Sequence, residues 1–449
     1  MTFKIAVFAL LILISSNVQA DWMRFRGPNG SGVSDEKQAT PTKWSDQKNL
    51  MWKAALPGPG SSSPIIVGDK VFVTCWSGYG LNRNNPGDQK DLRRHLICLN
   101  RQSGKILWDK TVEPVLPEDV YTGMFAEHGY ASHTPVSDGK RVYAYFGKSG
   151  AVAFDLDGNQ LWQTITGDEL DPRRWGSSSS PILYKNLLIV TATAESEALV
   201  ALNKKTGKEV WRQESTGFNA TWGTPILVPI DEDRTDLVIG VPYEIWSLNP
   251  DTGKLRWYCE AMPTETYCSS VIAHDGIVYG IEGRGGGSIA VRADGKGDVT
   301  KTHVLWSGRD SNRIETPIIY QGRIYFFSRG IANCIDAKTG ERIFRGRLDK
   351  GDSDVTNNRE EQSESRSGRG RGGFRGSDYS SPVIADGKVY FVSRSGETYV
   401  IKAGDKLEQL SVNRLTDENE DFSATPAISD GQIFIRSDKH LYCVGNEDA

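Results

Sequence analysis

A unit that opens Ala201-Leu202-Asn203, passes through Thr206-Gly207 and ends at Trp211 recurs along almost the whole chain. Cys98-Leu99-Asn100 leads through Ser103-Gly104 to Trp108, and Ser247-Leu248-Asn249 through Thr252-Gly253 to Trp257. Cys334-Ile335-Asp336 leads through Thr339-Gly340 to Phe344, and a shorter copy joins Ala153-Phe154-Asp155 through Gly158 to Trp162. Each copy reads as strand, tight turn, strand. Asn or Asp bonds its own backbone two residues on and starts the turn. Gly supplies the positive φ that the turn requires. The small residue two positions before the Asn or Asp is expected where only a slim side chain fits between packed sheets. The bulky Trp is expected to dock against a neighbouring unit. The docking set is Trp52, Trp108, Trp162, Trp211, Trp257, Trp306 and Phe344.

Upstream of each unit, a Ser/Thr-Pro step opens a short apolar strand that turns back at pairs such as Asp138-Gly139, Asp275-Gly276, Asp386-Gly387 and Asp430-Gly431. Asp-Gly between apolar runs is a strong hairpin signal. Four antiparallel strands per repeat, with no helical period, describe a propeller blade. The openings stand at Pro64, Pro135, Pro181, Pro225, Val271, Pro317, Pro382 and Pro426. Apart from two longer intervals they recur at about 45 residues, the length of a four-stranded blade. The chain is thus expected to be all-β, an eight-bladed β-propeller of four-stranded antiparallel blades. The last repeat lacks its Gly-x-x-x-Trp strand, and Asn49-Leu50-Met51-Trp52 matches what is missing. The N-terminal strand is expected to complete the last blade, close the ring and remove its free edges.

Residues 1–20 read as a signal peptide, with Lys4, an apolar run from Ile5 to Ile14, and Val18-Gln19-Ala20 at the cleavage site. The run is too short to span a bilayer. A secreted or periplasmic protein with no transmembrane segment after signal removal follows. Residues 21–48 form an N-terminal extension, which Trp22 and Phe25 are expected to pin onto the propeller, and 49–449 form the propeller. Loops from Ser77 to Arg94 and Glu113 to Tyr130 are placed on a propeller face, where long loops on rigid scaffolds carry function. Residues 350–377, with Gly368-Arg369-Gly370-Arg371, read as a flexible Gly/Arg-rich insertion whose acids nearly neutralise it. With a net charge of −4, no nucleic-acid partner is expected. Of six cysteines, Cys98, Cys334 and Cys443 occupy the small-residue position and read as buried free thiols. Cys259 and Cys268 flank the turn between blades four and five, Cys75 and Cys98 fall on adjacent strands of blade one, and either pair could bridge.

The Ala-x-Asn-x-x-Thr-Gly-x-x-x-Trp unit resembles the pyrroloquinoline-quinone (PQQ) repeat with its tryptophan-docking motif, over about residues 49–448. The resemblance implies either of two families. Quinoprotein alcohol dehydrogenases hold PQQ and calcium at the propeller axis; BamB-like proteins are non-catalytic, assist outer-membrane protein assembly and bind partners through propeller loops. Phe25-Arg26-Gly27-Pro28-Asn29-Gly30 looks like the start of exported PQQ-like propellers of planctomycete-type bacteria. The adjacent cysteine pair of the dehydrogenases has no counterpart here, and their calcium ligands and catalytic aspartate find no matching local context. The lipid-anchoring cysteine of BamB-like proteins is missing too.

Residues just before each opening Pro are expected to ring the channel mouth. Two before it stand Ser62, His133, Ser179, Gly223, Ser269, Glu315, Ser380 and Ala424. With neighbours they give a candidate ligand-binding set: His128, Tyr130, His133, Arg174, Trp175, Trp222, Tyr267, Arg313, Glu315, Asp378 and Tyr379. Aromatics with Arg, His and Glu suit a polar ligand such as a sugar or quinone; the same residues also suit a plug of the channel. No catalytic residue and no metal site is legible, and the sequence leans away from an enzyme. The expected partner is a protein or cell-envelope polymer at the propeller-face loops. The motifs support no cofactor, PQQ with calcium being the one the resemblance would bring.

Overall fold

The structure, a computed structural model, describes residues 21–82, 84–120, 125, 129–283, 286–350 and 378–446. The expected signal peptide, residues 351–377 of the expected insertion, and His128 lie outside the described residues. Among those described, eight separate sheets follow one another along the chain, each antiparallel through its four blade strands. Blade one comprises Ile65–Val67, Lys70–Ser77, Arg93–Asn100 and Ile106–Val112. Six blades of the same order follow at 136–164, 182–214, 226–260, 272–308, 318–347 and 383–413. Blade four gains a fifth, parallel strand, Gly297–Asp298, beside Trp257 and Tyr258. Blade eight takes its outermost strand, Leu50–Ala55, from the N-terminus, with Trp52 opposite Cys443. The ring is closed as the missing repeat strand requires.

The small residue and the Trp of each unit stand directly opposite one another in the ladder. Cys98 faces Trp108, Ala153 faces Trp162, Ala201 faces Trp211, Ser247 faces Trp257, and Cys334 faces Phe344. The slim side chain therefore makes room for an indole across the strand pair, rather than between sheets. A register shift follows each of these pairs, and such bulges sharpen the local twist. The indole then reaches the turn of the next blade. Trp211 Nε1 donates to Pro250 O at 3.0 Å, and Trp162 Nε1 to Lys204 O at 3.2 Å. A Cβ at Gly253 would come within 2.6 Å of the Trp211 ring. That Gly serves close approach as well as its φ of 74°. The buried clusters join consecutive blades, such as Phe72, Leu96, Val142 and Phe154 between blades one and two. The core is thus a ring of inter-blade layers. All six cysteines are free thiols, so neither candidate bridge forms.

The strand directions give two unlike faces. One carries the short turns within blades; the other carries the longer loops and the links between blades. The extension 21–48 lies along the turn side. Trp22 exchanges backbone bonds with Ile66 at 3.0 Å, and Ser137 N donates to Met23 O at 2.9 Å. Arg26 Nη2 crosses to Pro317 O of blade six at 2.8 Å, and Ile384 N of blade seven donates to Gly32 O at 2.9 Å. Tyr390 OH then donates to Thr40 Oγ1 at 2.6 Å before the chain enters blade eight. Trp22 and Phe25 do pin the segment: Trp22 is buried and Phe25 lines the axial cavity.

Candidate functional sites on the axis and the loop face

Side chains alternate along the innermost strands, so residues one and three before each opening Pro face the axis. Together they line an axial cavity of about 120 Å³. The residues one before the Pro are all Ser or Thr, and they form a closed circle. Ser63 N donates to Thr134 Oγ1 at 2.9 Å, Thr134 N to Ser180 Oγ at 3.0 Å, and Ser180 N to Thr224 Oγ1 at 3.0 Å. The circle runs on through Ser270, Thr316, Ser381 and Thr425, whose N–H returns to Ser63 Oγ at 3.1 Å. The backbone N–H of each of these eight residues is thereby satisfied by the next blade, where an unpaired one would cost about 1–3 kcal/mol. Three before the Pro, Trp222, Cys268, Ile314 and Tyr379 line the same cavity, and Phe25 enters it from the extension. Trp222 Nε1 is held by Gly176 O at 2.7 Å, and the Arg394 guanidinium stacks over Tyr379 at 5.1 Å.

The residues two before the Pro turn away from the axis, for the same reason of period. His133 is buried with its ring edge-on to Tyr145 at 4.8 Å. Its Nε2 is 3.1 Å from Ser177 Oγ, which donates to Glu195 Oε1 at 2.5 Å, while Tyr145 OH donates to Glu195 Oε2 at 3.1 Å. The serine gives its proton to the carboxylate and not to the imidazole, the reverse of an activated nucleophile. With His133, Ser177 and Glu195 all buried, the network ties blades two and three together. Burial pushes the Glu195 carboxyl up to about 7, against the Ser177 and Tyr145 hydrogen bonds. Glu282 is also pushed to about 7 by burial, although Gly283 N, Ser269 and Cys268 N donate to it. Burial raises Glu315 well above the usual carboxylate range, and the charges of Asp378 and Glu282 add to it. His133 and Glu315 remain on separate blades. Tyr267 is fully buried, its ring packed on the backbone of Gly240 and Gly280.

The remaining predicted residues fall into two groups on the loop face. Arg174 stacks over Phe125 at 4.8 Å, and Trp175 meets the same ring edge-on at 5.0 Å. Arg174 also lines a cavity of about 790 Å³ over blades one to three, with Tyr79, Glu118, Asp119 and Asp171. Tyr130 packs behind it, its OH donating to Asp119 O at 2.8 Å. Arg313 and Asp378 line a cavity of about 1120 Å³ over blades six to eight, with Arg394, Glu397, Glu420 and Asp421. Burial raises the Asp378 carboxyl, opposed by the Arg394 N–H it accepts. A third cavity of about 620 Å³, over blades five and six, is lined by Arg309, Arg313, Arg329, Arg342 and Arg345. Sequence reasoning singled out only Arg313 of these. The readable signal was the alternation of charge in Arg342-Ile343-Phe344-Arg345-Gly346-Arg347.

Comparison with known proteins narrows the family. The profile described as outer membrane protein assembly factor BamB matches residues 87–221, 186–361 and 244–448. The chain belongs to that family. Two curated relatives of this BamB-family chain are polyvinylalcohol dehydrogenases. The one from Sphingopyxis sp. (strain 113P3) is 22% identical over 289 residues, 55% of this chain and 40% of its own. The one from Pseudomonas sp. is 24% identical over 300 residues, 48% of this chain and 47% of its own. The chain therefore aligns with less than half the length of either. Among solved structures, BamB from Moraxella catarrhalis superposes with a TM-score of 0.58 at 11% identity, covering 89% of this chain and 98% of that one. A europium-containing methanol dehydrogenase gives a TM-score of 0.60 at 11% identity, covering 93% and 89%. At such identity the likeness is one of fold.

The dehydrogenase relatives raise the quinone cofactor, and the axis offers the test of fit. A tricyclic tricarboxylate needs a pocket of roughly 300 Å³ or more and cations for its carboxylates. The axial cavity holds about 120 Å³, and no Lys or Arg is among the described residues lining it. The residues on the axis do not fit the group, and no step is derived through it. Among the described residues no set of three or more His, Cys, Asp or Glu side chains is grouped to hold a metal ion. No described helix is long and apolar enough to cross a membrane.

Proposed function

We infer that this is an exported, non-enzymatic propeller that binds a protein or cell-envelope polymer through its loop face. One observation carries the reading: the two faces are built differently. The extension runs along the turn side and puts Phe25 into the axial cavity, whereas the loop face opens into cavities of about 1120, 790 and 620 Å³. Those cavities are lined by charged side chains on loops and links, the places where a rigid scaffold carries recognition. Membership of the BamB family supports a binding role, and the leader-like segment 1–20 supports export. A photo-crosslinking residue placed at Arg329 or Leu170 on the loop face should form adducts in intact cells. The same residue at Lys254 or Lys338, on the turn face, should not. Adducts from the turn-face positions alone would overturn the reading.

A second reading, a divergent quinoprotein oxidoreductase, is favoured by the polyvinylalcohol dehydrogenase relatives. It requires a quinone to bind with calcium in spite of the narrow axis, with Trp175 or Trp222 stacked upon it. The same mouth as a carbohydrate site has only its aromatics in support.

A further inference from the structure

Blade six and the link before it carry a group of exposed arginines. Arg345 and Arg347 lie on its outermost strand, Arg342–Arg347, opposite Asn333 and Ile331. Two residues apart on a strand, they leave the same face about 7 Å from one another. Arg329 stands at the hairpin that joins the two preceding strands, with a φ of 52°. Arg309 and Arg313 come in from the link after blade five, and Arg313 and Arg329 line both adjoining cavities, which makes one continuous groove. Arg309, Arg329, Arg345 and Arg347 are exposed, and among the described residues none of them has an ion-pair or side-chain hydrogen-bond partner. Of the acids that share the groove, Asp310 pairs with Arg342 at 2.6 Å, Asp421 with Arg394 at 2.6 Å and Glu397 with Arg414, while Asp349, Asp378, Glu420 and Asp438 line its end over blades six to eight. Like charges held together repel one another and raise the local concentration of anions.

We propose that this groove is the docking site for an extended, acidic segment of a partner protein, its carboxylates paired with the blade-six arginines. The proposal deepens the loop-face reading above and rests on it. A guanidinium fork matches a carboxylate in two parallel hydrogen bonds. An extended peptide presents alternate side chains on one face at the same spacing of about 7 Å as Arg345 and Arg347. The strand edge beside them is the last in its sheet. At the corresponding edge of blade four, the chain itself adds Gly297–Asp298 as a parallel strand, and Val299 N donates to Tyr258 O at 3.0 Å. Extended peptide thus already fits that place on a blade. Nucleic acid is disfavoured because the aromatic rings in the described lining of the groove, Phe326, Phe391 and Tyr399, are buried and give bases nothing to stack on.

The test is fluorescence anisotropy with the mature protein and a labelled twelve-residue peptide of alternating Glu and Thr. Dodecathymidylate and an oligogalacturonate of matched charge serve as competitors. The peptide should bind saturably at about micromolar affinity, and R345E/R347E should weaken it at least tenfold. K254E/K338E, an equal change of charge on the turn face, should leave it within twofold. If R345E/R347E fails to fold, R329Q/R345Q carries the same test, with at least a threefold loss expected. Absence of saturable binding, an equal loss in K254E/K338E, or tighter binding of either competitor would overturn the proposal. Loop-face crosslinks that persist without peptide binding would sink this inference alone; loss of those crosslinks would sink the broader reading.

Discussion

Glu195 sits between Ser177 and Tyr145 in a place water does not reach, and its protonation is set by that burial. Its carboxyl is raised from 4.5 to about 7. The fold therefore favours the protonated form. The stability this confers is fully present below about 4.5, declines as pH rises, and is lost once pH passes about 7. A rise of that size corresponds to about 3 kcal/mol, as an order of magnitude. E195Q keeps the shape and, like the protonated carboxyl, offers one accepting oxygen and one donating group, but it cannot ionise. Urea denaturation from pH 4.5 to 8 should show the wild type losing more stability than E195Q over that range. Parallel curves for the two proteins would contradict the assignment. Only the His133 end of this network was legible in the sequence. Glu195 lies eighteen residues from Ser177, and the repeat gives no sign that a short helix, Thr193–Ser196, turns it back toward that serine.

The innermost strands show most clearly where local pattern stops and strand phase takes over. Ser or Thr before the opening Pro or Val was visible in every repeat, yet its role in joining the blades follows only when alternate residues are assigned to the axis. A phase error of one residue moves a whole set to the other side of the strand. That is why Ser62, His133 and Glu315 lie off the axis while Trp222 and Tyr379 line it. The circle makes a sharp prediction. T224V removes the acceptor that Ser180 N uses at 3.0 Å and should cost about 1–3 kcal/mol. T224S keeps that oxygen and should cost less than about 1 kcal/mol. Chemical denaturation of both variants checks it, and a loss in T224S as large as that in T224V would contradict it.

For the whole molecule, the eight blades and their closure were legible because most repeats encode their own turns, small residue and Trp or Phe within about 45 residues. The long loops of a propeller face were legible too, but the course of the extension along the opposite, turn face was not, since it depends on contacts that exist only once the ring has formed. Nor was the arginine groove: Arg309, Arg329 and Arg345 belong to different strands and links, and meet only after blade six folds. The same reasoning separates shape from chemistry. The family profile and the dehydrogenase superposition both follow the blades, whereas a quinone site would depend on the width and charge of the axis. The most direct measurement is calorimetric titration of the metal-stripped mature protein with PQQ, with and without calcium. The account predicts no saturable heat in either condition. Calcium-dependent binding at about micromolar affinity or tighter would contradict it and restore the oxidoreductase reading.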